Sequence, residues 1–225
     1  MTMRTSVREV FRVAAAAYDR GNPLLAVERP ESQALLPVLA GRDVLDLGAG
    51  TGHYAALARA AGARLAVALD LTFEMLARAA RPAVVADAAR LPLRSGAMDV
   101  VVAALVTSYL PDPEGAFREA ARVLRPGGML VLSDLHPVAS RLGWRRVFDT
   151  ADGGTVEAAG TPHPPERLSG WLEACGLLLE DRREPVIDGR LAGHFRAAGR
   201  RDFEDLRGTP LLVVLRARKR GVHAG

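Results

Sequence analysis

The sequence predicts an α/β fold wound around a mainly parallel sheet, and three observations point there. Short, wholly apolar runs alternate with stretches of helical spacing, the first run ends in a glycine-rich loop, and the next two runs each end in an acid. Strands buried on both faces of a parallel sheet read as such continuous apolar runs.

Strands are expected near 43–47, 65–70, 83–86, 98–104 and 129–134. Between them HYAALARAAG, FEMLARAA and EGAFREAARVLR carry helical spacing, the last closed by Pro126-Gly127-Gly128 as a stop. From about 135 to 165 the density of proline, glycine and polar residues reads as a loop or small excursion inserted after the fifth strand. A helix, ERLSGWLEACG, and a strand, LLLEDRREPVI, follow, then an irregular stretch and a last apolar run, TPLLVVLRARK. No internal repeat or low-complexity tract interrupts this order.

At 225 residues and 49% hydrophobic content, the chain suits one domain, 1–225, with a full core. No apolar run is long enough to span a membrane, and Glu9 and Asp19 break up the N-terminal stretch, which fits no secretory signal. A soluble cytoplasmic protein is the expectation. The single cysteine, Cys175, sits among residues of helical spacing and reads as core packing. The net charge of +4 comes almost wholly from arginine, with Lys219 the sole lysine. Apart from Arg145-Arg146, Arg182-Arg183, Arg200-Arg201 and the tail RARKR, the arginines are dispersed, which reads as a solvated surface rather than a nucleic-acid footprint.

The loop VLDLGAGTGHYA carries the first chemical signal. Glycine lets the chain turn sharply at a strand's end, and without side chains the backbone N–H groups can approach a ligand closely at the helix N-terminus. A dinucleotide fingerprint, G-x-G-x-x-G, would place its third glycine at position 53, where the residue is His53. Asp70 ends the second strand at the distance where a carboxylate accepts both ribose hydroxyls, and Asp87 ends the third, where it can accept from an adenine amino group. Asp46 can answer an ammonium group or bond the loop's own amides. No lysine lies near the loop and no P-loop sequence occurs, so an adenosine ligand without phosphate follows.

With VLDLGAGTG, ALD, ADAARLPLRSGAMDVVVAAL and SYLPDPEGAFREAARVLRPGGMLVLSD in this order, the chain resembles the class I S-adenosylmethionine-dependent methyltransferases, strongly over about residues 40 to 135. The nearest likeness is to the group holding quinone- and biotin-pathway methyltransferases. The resemblance implies a Rossmann-like three-layer α/β/α sandwich with a seven-stranded mainly parallel sheet, its last strand antiparallel, and S-adenosylmethionine across the carboxyl ends of strands one to four. By position, Gly48, Ala49 and Gly50 would face the methionine part, with Asp46 behind them. Asp70 would hold the ribose, Leu71 would pack on the adenine, Asp87 and the backbone of Ala88 would read the adenine edge, and Leu105 would close the near wall. Tyr18-Asp19 resembles a pair in relatives whose N-terminal helix covers the cofactor, which makes residues 1–30 an expected helical cover.

Methyl transfer from an activated sulfonium needs an in-line nucleophile and a water-poor pocket, with a base only for a hydroxyl or carbon acid. His136, after the fifth strand, and His163, before a helix, are the candidate bases, set against the reading of each as a locally bonded loop histidine. Tyr109 faces either the acceptor or the core. The stretch TSYLPDP lacks the N-P-P-Y or D-P-P-Y of nucleic-acid amino-group methylation, and no Pro-Cys pair supplies a cysteine nucleophile. A small-molecule acceptor is therefore expected, ahead of a non-catalytic cofactor-binding scaffold and of an RNA methyltransferase, which would need a salt-sensitive RNA contact.

Overall fold

Val44, Leu45, Leu47 and their neighbours in the strand at Asp43–Leu47 (β1) are all buried, because helices cover both faces of the sheet they sit in. The computed structural model describes residues 6–20, 22–151 and 153–221, so the first five residues of the expected cover and Gly21 lie outside the description. Beside β1 run β2 (Leu65–Asp70), β3 (Ala83–Val85), β4 (Met98–Ala104) and β5 (Leu124–Leu135), all parallel, and the seven-stranded sheet is completed by β8 (Leu177–Arg183) and β9 (Leu212–Lys219) in the order β3-β2-β1-β4-β5-β9-β8. The last strand, β9, is antiparallel to both of its neighbours. The strands β6 (Val147–Asp149) and β7 (Thr155–Glu157) pair with each other apart from this sheet.

Alternate residues of each strand serve opposite layers. Leu45, Val101, Leu130 and Leu132 meet Phe117 and Ala120 of α5 (Pro113–Val123) and Leu168 and Leu172 of α7 (Pro165–Ala174). On the other face Val44, Val100 and Val102 meet Tyr54, Ala55 and Ala58 of α3 (His53–Ala60) and Leu76 of α4 (Phe73–Leu76). A further cluster joins Leu24 and Val27 of α2 (Pro23–Gln33) to Val131 and Val214 of the sheet and to Leu191 and Phe195. Phe195 lies on α8 (Ala192–Ala197). The helices α1 (Val7–Ala14), α6 (Pro137–Arg141) and α9 (Phe203–Leu206) complete the chain among the described residues.

Three expected elements differ in detail. The helix expected over FEMLARAA is regular only over Phe73–Leu76 and tightens after it, the Arg78 and Ala79 amides donating three residues back to Met75 and Leu76, before Arg59 ties down the carbonyls of Ala80 and Arg81. The fifth strand starts earlier than 129, pairing Leu124 with Met98 before an irregularity at Pro126-Gly127-Gly128 and resuming at Met129 opposite Val100. The excursion after β5 is not loop throughout, since it folds as α6 and the β6–β7 hairpin.

Candidate functional site

The carboxyl ends of β1, β2, β3 and β4 gather four loops at one edge of the sheet, the place where open α/β sheets bind ligands. Leaving β1, the chain turns through Gly48, Gly50 and Gly52, all in the left-handed region with φ of +67°, +53° and +83°. A side chain on Gly48 would bring its Cβ within 2.3 Å of Val106, and one on Gly52 within 2.6 Å of Ala79, so both the conformation and the space require glycine. Gly52 is the N-cap of α3, and its loop lies beneath Tyr18 and Met75, whose nearest atoms stand 3.8 and 3.1 Å from where a Cβ of Gly50 would be.

Asp70 ties this loop to the end of β2. Its carboxylate accepts from the Gly50 N–H at 2.9 Å and from the Thr72 N–H at 2.8 Å. The Thr72 side chain and the Leu71 backbone also act on this carboxylate, which is anchored mainly by its own loop and strand end. Burial pushes the Asp70 carboxyl upward, while the Thr72 and Gly50 amides pull the other way. Leu71 beside it is half-exposed, at 47%. At the end of β3, Asp87 is exposed and accepts from the Ala89 N–H at 2.9 Å, and Ala88 is buried. After β4, Leu105 is buried with φ +54°, the one described residue other than glycine in that region.

A small cavity of about 30 Å³ lies against the loop, lined by Gly48, Ala49, Tyr18, Leu105 and two buried acids, Asp46 and Glu28. Asp46 accepts from the Ala55 N–H at 2.9 Å, and burial pushes its carboxyl up to about 7. Glu28 collects the hydroxyls of Tyr54, Ser32 and Ser133 at 2.7, 2.7 and 2.8 Å. A pair of acids in an enclosed space suits a cationic ligand, as an ammonium and a sulfonium together would be. The acceptor set, Asp70 and Asp87 for an adenosine and Asp46 and Glu28 for positive charge, fits S-adenosylmethionine in kind. The space against the loop holds about one water, with Tyr18 among the residues that line it.

Tyr18 is held from behind by Arg146. This guanidinium donates to the Tyr18 hydroxyl at 3.2 Å and to the Leu105 carbonyl at 3.0 Å, and lies 5.2 and 5.3 Å from the centres of the Tyr109 and Phe148 rings. Burial disfavours its charge, but Tyr18, Tyr109 and Asp134 outweigh that and hold it firmly protonated. Asp134 is itself buried at the end of β5 and accepts from the Ser108 amide and hydroxyl.

The chain was compared with known proteins. A family model described as a methyltransferase domain matches residues 45–132. A malonyl-[acyl-carrier protein] O-methyltransferase of Pectobacterium atrosepticum is 34% identical over 174 residues, covering 71% of this chain and 68% of the relative. The chain belongs to the S-adenosylmethionine-dependent methyltransferase family. An uncharacterized methyltransferase of Mycobacterium tuberculosis is 42% identical over 183 residues, covering 79% of this chain and 62% of its own length. A demethylmenaquinone methyltransferase of Mycolicibacterium paratuberculosis is 34% identical over 144 residues, covering 60% and 62%. The chain thus spans about two thirds of the length of these relatives. A Mesorhizobium loti S-adenosylmethionine-dependent methyltransferase shares the fold at 24% identity, with a TM-score of 0.66 over 86% of this chain and 98% of that one.

Of the residues expected from sequence, the fold brings Tyr18, Asp46, Gly48, Ala49 and Leu105 around one cavity and bonds Gly50 to Asp70. It does not bring His136 or His163 to that cavity. His136 caps α6, its Nδ1 accepting from the Val138 N–H at 3.1 Å, while its Nε2 faces Glu184 at 3.3 Å, so both ring nitrogens are engaged. His163 sets its ring edge-on to Trp171, with centroids 4.9 Å apart. Burial lowers the proton affinity of both histidines. His53, which displaces the dinucleotide glycine, lines the cavity and stands 3.3 Å from the Gln33 amide.

Sequence reasoning missed Glu28, Asp134 and Arg146. Arg146 sits in a basic pair that reads as surface, yet only 5% of it is exposed. Its alternation with exposed Arg145 and Val147, at the start of a short strand, is the signal that could have found it.

Proposed function

We propose that this chain transfers a methyl group from S-adenosylmethionine to a small-molecule acceptor, through an oxygen, nitrogen or carbon nucleophile, in the cytoplasm. The observation that carries this reading is the enclosed acidic cavity beside the glycine loop, roofed by Tyr18 and walled by Leu105. When bound, the cofactor supplies a methyl group already activated by positive sulfur. Asp70 holds the ribose hydroxyls while its bonds to Gly50 and Thr72 keep loop and strand end in fixed relation. Asp87 and the Ala88 backbone read the adenine edge, Leu71 covers its face, and Gly48, Ala49 and Gly50 let the backbone approach the methionine end with Asp46 facing its ammonium.

Tyr18 and Phe148, stacked at 5.3 Å between centroids, would shield an acceptor held beside the cofactor from water. Rate enhancement by positioning alone is substantial when a nucleophile is held in line. The engaged ring nitrogens of His136 favour an acceptor that needs no histidine base. The relatives named for malonyl-[acyl-carrier protein] and for demethylmenaquinone support an acceptor that is not a nucleic acid. Isothermal titration tests the reading: S-adenosylmethionine binds with one site per chain and NADH does not. Tight NADH binding alone, or RNA retained on a filter in a salt-dependent manner, would contradict it.

A further inference from the structure

A second cavity, of about 340 Å³, opens on the far side of Arg146, between the start of α2, strand β6 and α8. Its walls are apolar and aromatic, with Leu24, Trp144, Phe148 and Phe195. Its polar lining is three arginines, Arg145, Arg146 and Arg200, with His194 and Asn22, and no acid among the described residues lines it, although Arg145 pairs with Glu157 at 3.6 Å outside the lining. Two of these residues hold buried donors without a partner, the Nε of Arg146 and the Nδ2 of Asn22. A buried donor left unmade costs about 1–3 kcal/mol, which a ligand's acceptor atoms recover. The Asn22 carbonyl oxygen is already used, since it accepts from the Leu24 N–H at the N-cap of α2, which leaves the amide N–H₂ as the free end. Arg200, paired with Asp202, has its guanidinium carbon 4.6 Å from the Phe195 ring centre and 5.9 Å from that of Trp144, so cationic edge and aromatic wall adjoin.

We infer that this cavity binds a carboxylate carried on an apolar body, with Arg146 and Asn22 as its donors, and that this carboxylate is the recognition handle of the methyl acceptor. The volume falls in the range of small-molecule pockets, and a planar carboxylate matches paired N–H donors better than a neutral carbonyl does. The role as acceptor handle rests on the methyl-transfer reading. The link is Arg146 itself, whose other nitrogens hold Tyr18 and the Leu105 carbonyl, both walls of the acidic cavity beside the glycine loop. An anion seated on its far side therefore bears directly on the two residues that roof and close the cofactor's place.

The test uses octanoate as probe, with octanamide and octanol as uncharged counterparts, and follows Trp144 fluorescence in a Trp171→Phe background, since the chain has two tryptophans. Octanoate is expected to quench Trp144 saturably, with affinity about ten-fold above either counterpart. Asn22→Asp keeps the helix cap while removing the free donor, and is expected to weaken octanoate by about ten-fold or more; Arg146→Lys is the companion variant. Equal affinity for octanoate and octanamide, or undiminished octanoate affinity in Asn22→Asp, would overturn the assignment. Titrating S-adenosylmethionine in the same sample separates the two readings. Cofactor binding without carboxylate preference removes the cavity assignment alone, and carboxylate-selective binding without cofactor binding removes methyl transfer and with it the acceptor role.

Discussion

At the scale of residues, the Asp70 carboxylate fixes the Gly50 and Thr72 amides and so ties the glycine loop to the end of β2, and the proposed function gives it the ribose hydroxyls as well. Replacing Asp70 by alanine is expected to weaken S-adenosylmethionine by about 2–4 kcal/mol, since two charge-assisted bonds to the ribose are lost, as isothermal titration would measure. Gly48→Ala forces a Cβ into Val106 at a φ of +67° and is expected to cost about 2–4 kcal/mol in urea unfolding as well as cofactor affinity. Both positions were marked in the sequence by the glycine loop and the strand-end acid taken together with the family resemblance, and the positive φ and the nearness of Val106 show why residue 48 is glycine. Glu28 and Arg146 were not, because their importance comes from hydroxyls and carbonyls that lie far along the chain, such as Ser133 for Glu28 and Leu105 for Arg146. His136 was marked for its residue type, and tertiary contacts with Val138 and Glu184 decided otherwise where its ring faces.

Among elements, the parallel strands were readable to within a residue or two wherever both faces are apolar, as in β1, β2 and β4. The excursion after β5 was not, since the hairpin β6–β7 is stabilised less by its own pattern than by what it packs on. Phe148 of β6 and Val156 of β7 join Val10, Ala14, Phe11, Tyr18 and Tyr109 in a small cluster apart from the larger cores. Such a satellite unit opens at lower free energy than the sheet. The cover formed by α1 and this hairpin is therefore expected to admit the cofactor by local opening. Hydrogen exchange checks this: amides of Val7–Ala14 should exchange faster than those of β4, and slow when S-adenosylmethionine is added. Exchange unaffected by cofactor would show that the ligand enters without the cover.

For the molecule as a whole, buried acids make stability depend on pH. The Asp46 carboxyl is raised from its ordinary 3.8 to about 7 by burial, with nearby Asp70 and Glu28 adding to the effect. A raised group favours folding fully below its unfolded value and withdraws that contribution as pH climbs through its folded value. At about 1.4 kcal/mol for each tenfold change in proton affinity, Asp46 removes about 4 kcal/mol between pH 4 and pH 7. His136, which is buried, and the partly buried His53 and His163 act in the opposite sense below about pH 6.5, since folding lowers their proton affinity. The comparison with Asp46→Asn isolates the acid, and urea unfolding is expected to show that variant gaining most over the parent chain at pH 8 and little at pH 4.5. An equal difference at both values would place the Asp46 charge elsewhere.

On the proposed reading, the acidic cavity beside the glycine loop takes the cofactor and a small-molecule acceptor receives its methyl group. Incubation with S-adenosylmethionine carrying a labelled methyl group and metabolite fractions, followed by mass spectrometry, addresses that most directly. The expected result is the label on a low-molecular-weight compound, dependent on Asp70. Cofactor bound but label found on RNA, or on nothing across all fractions, would contradict it.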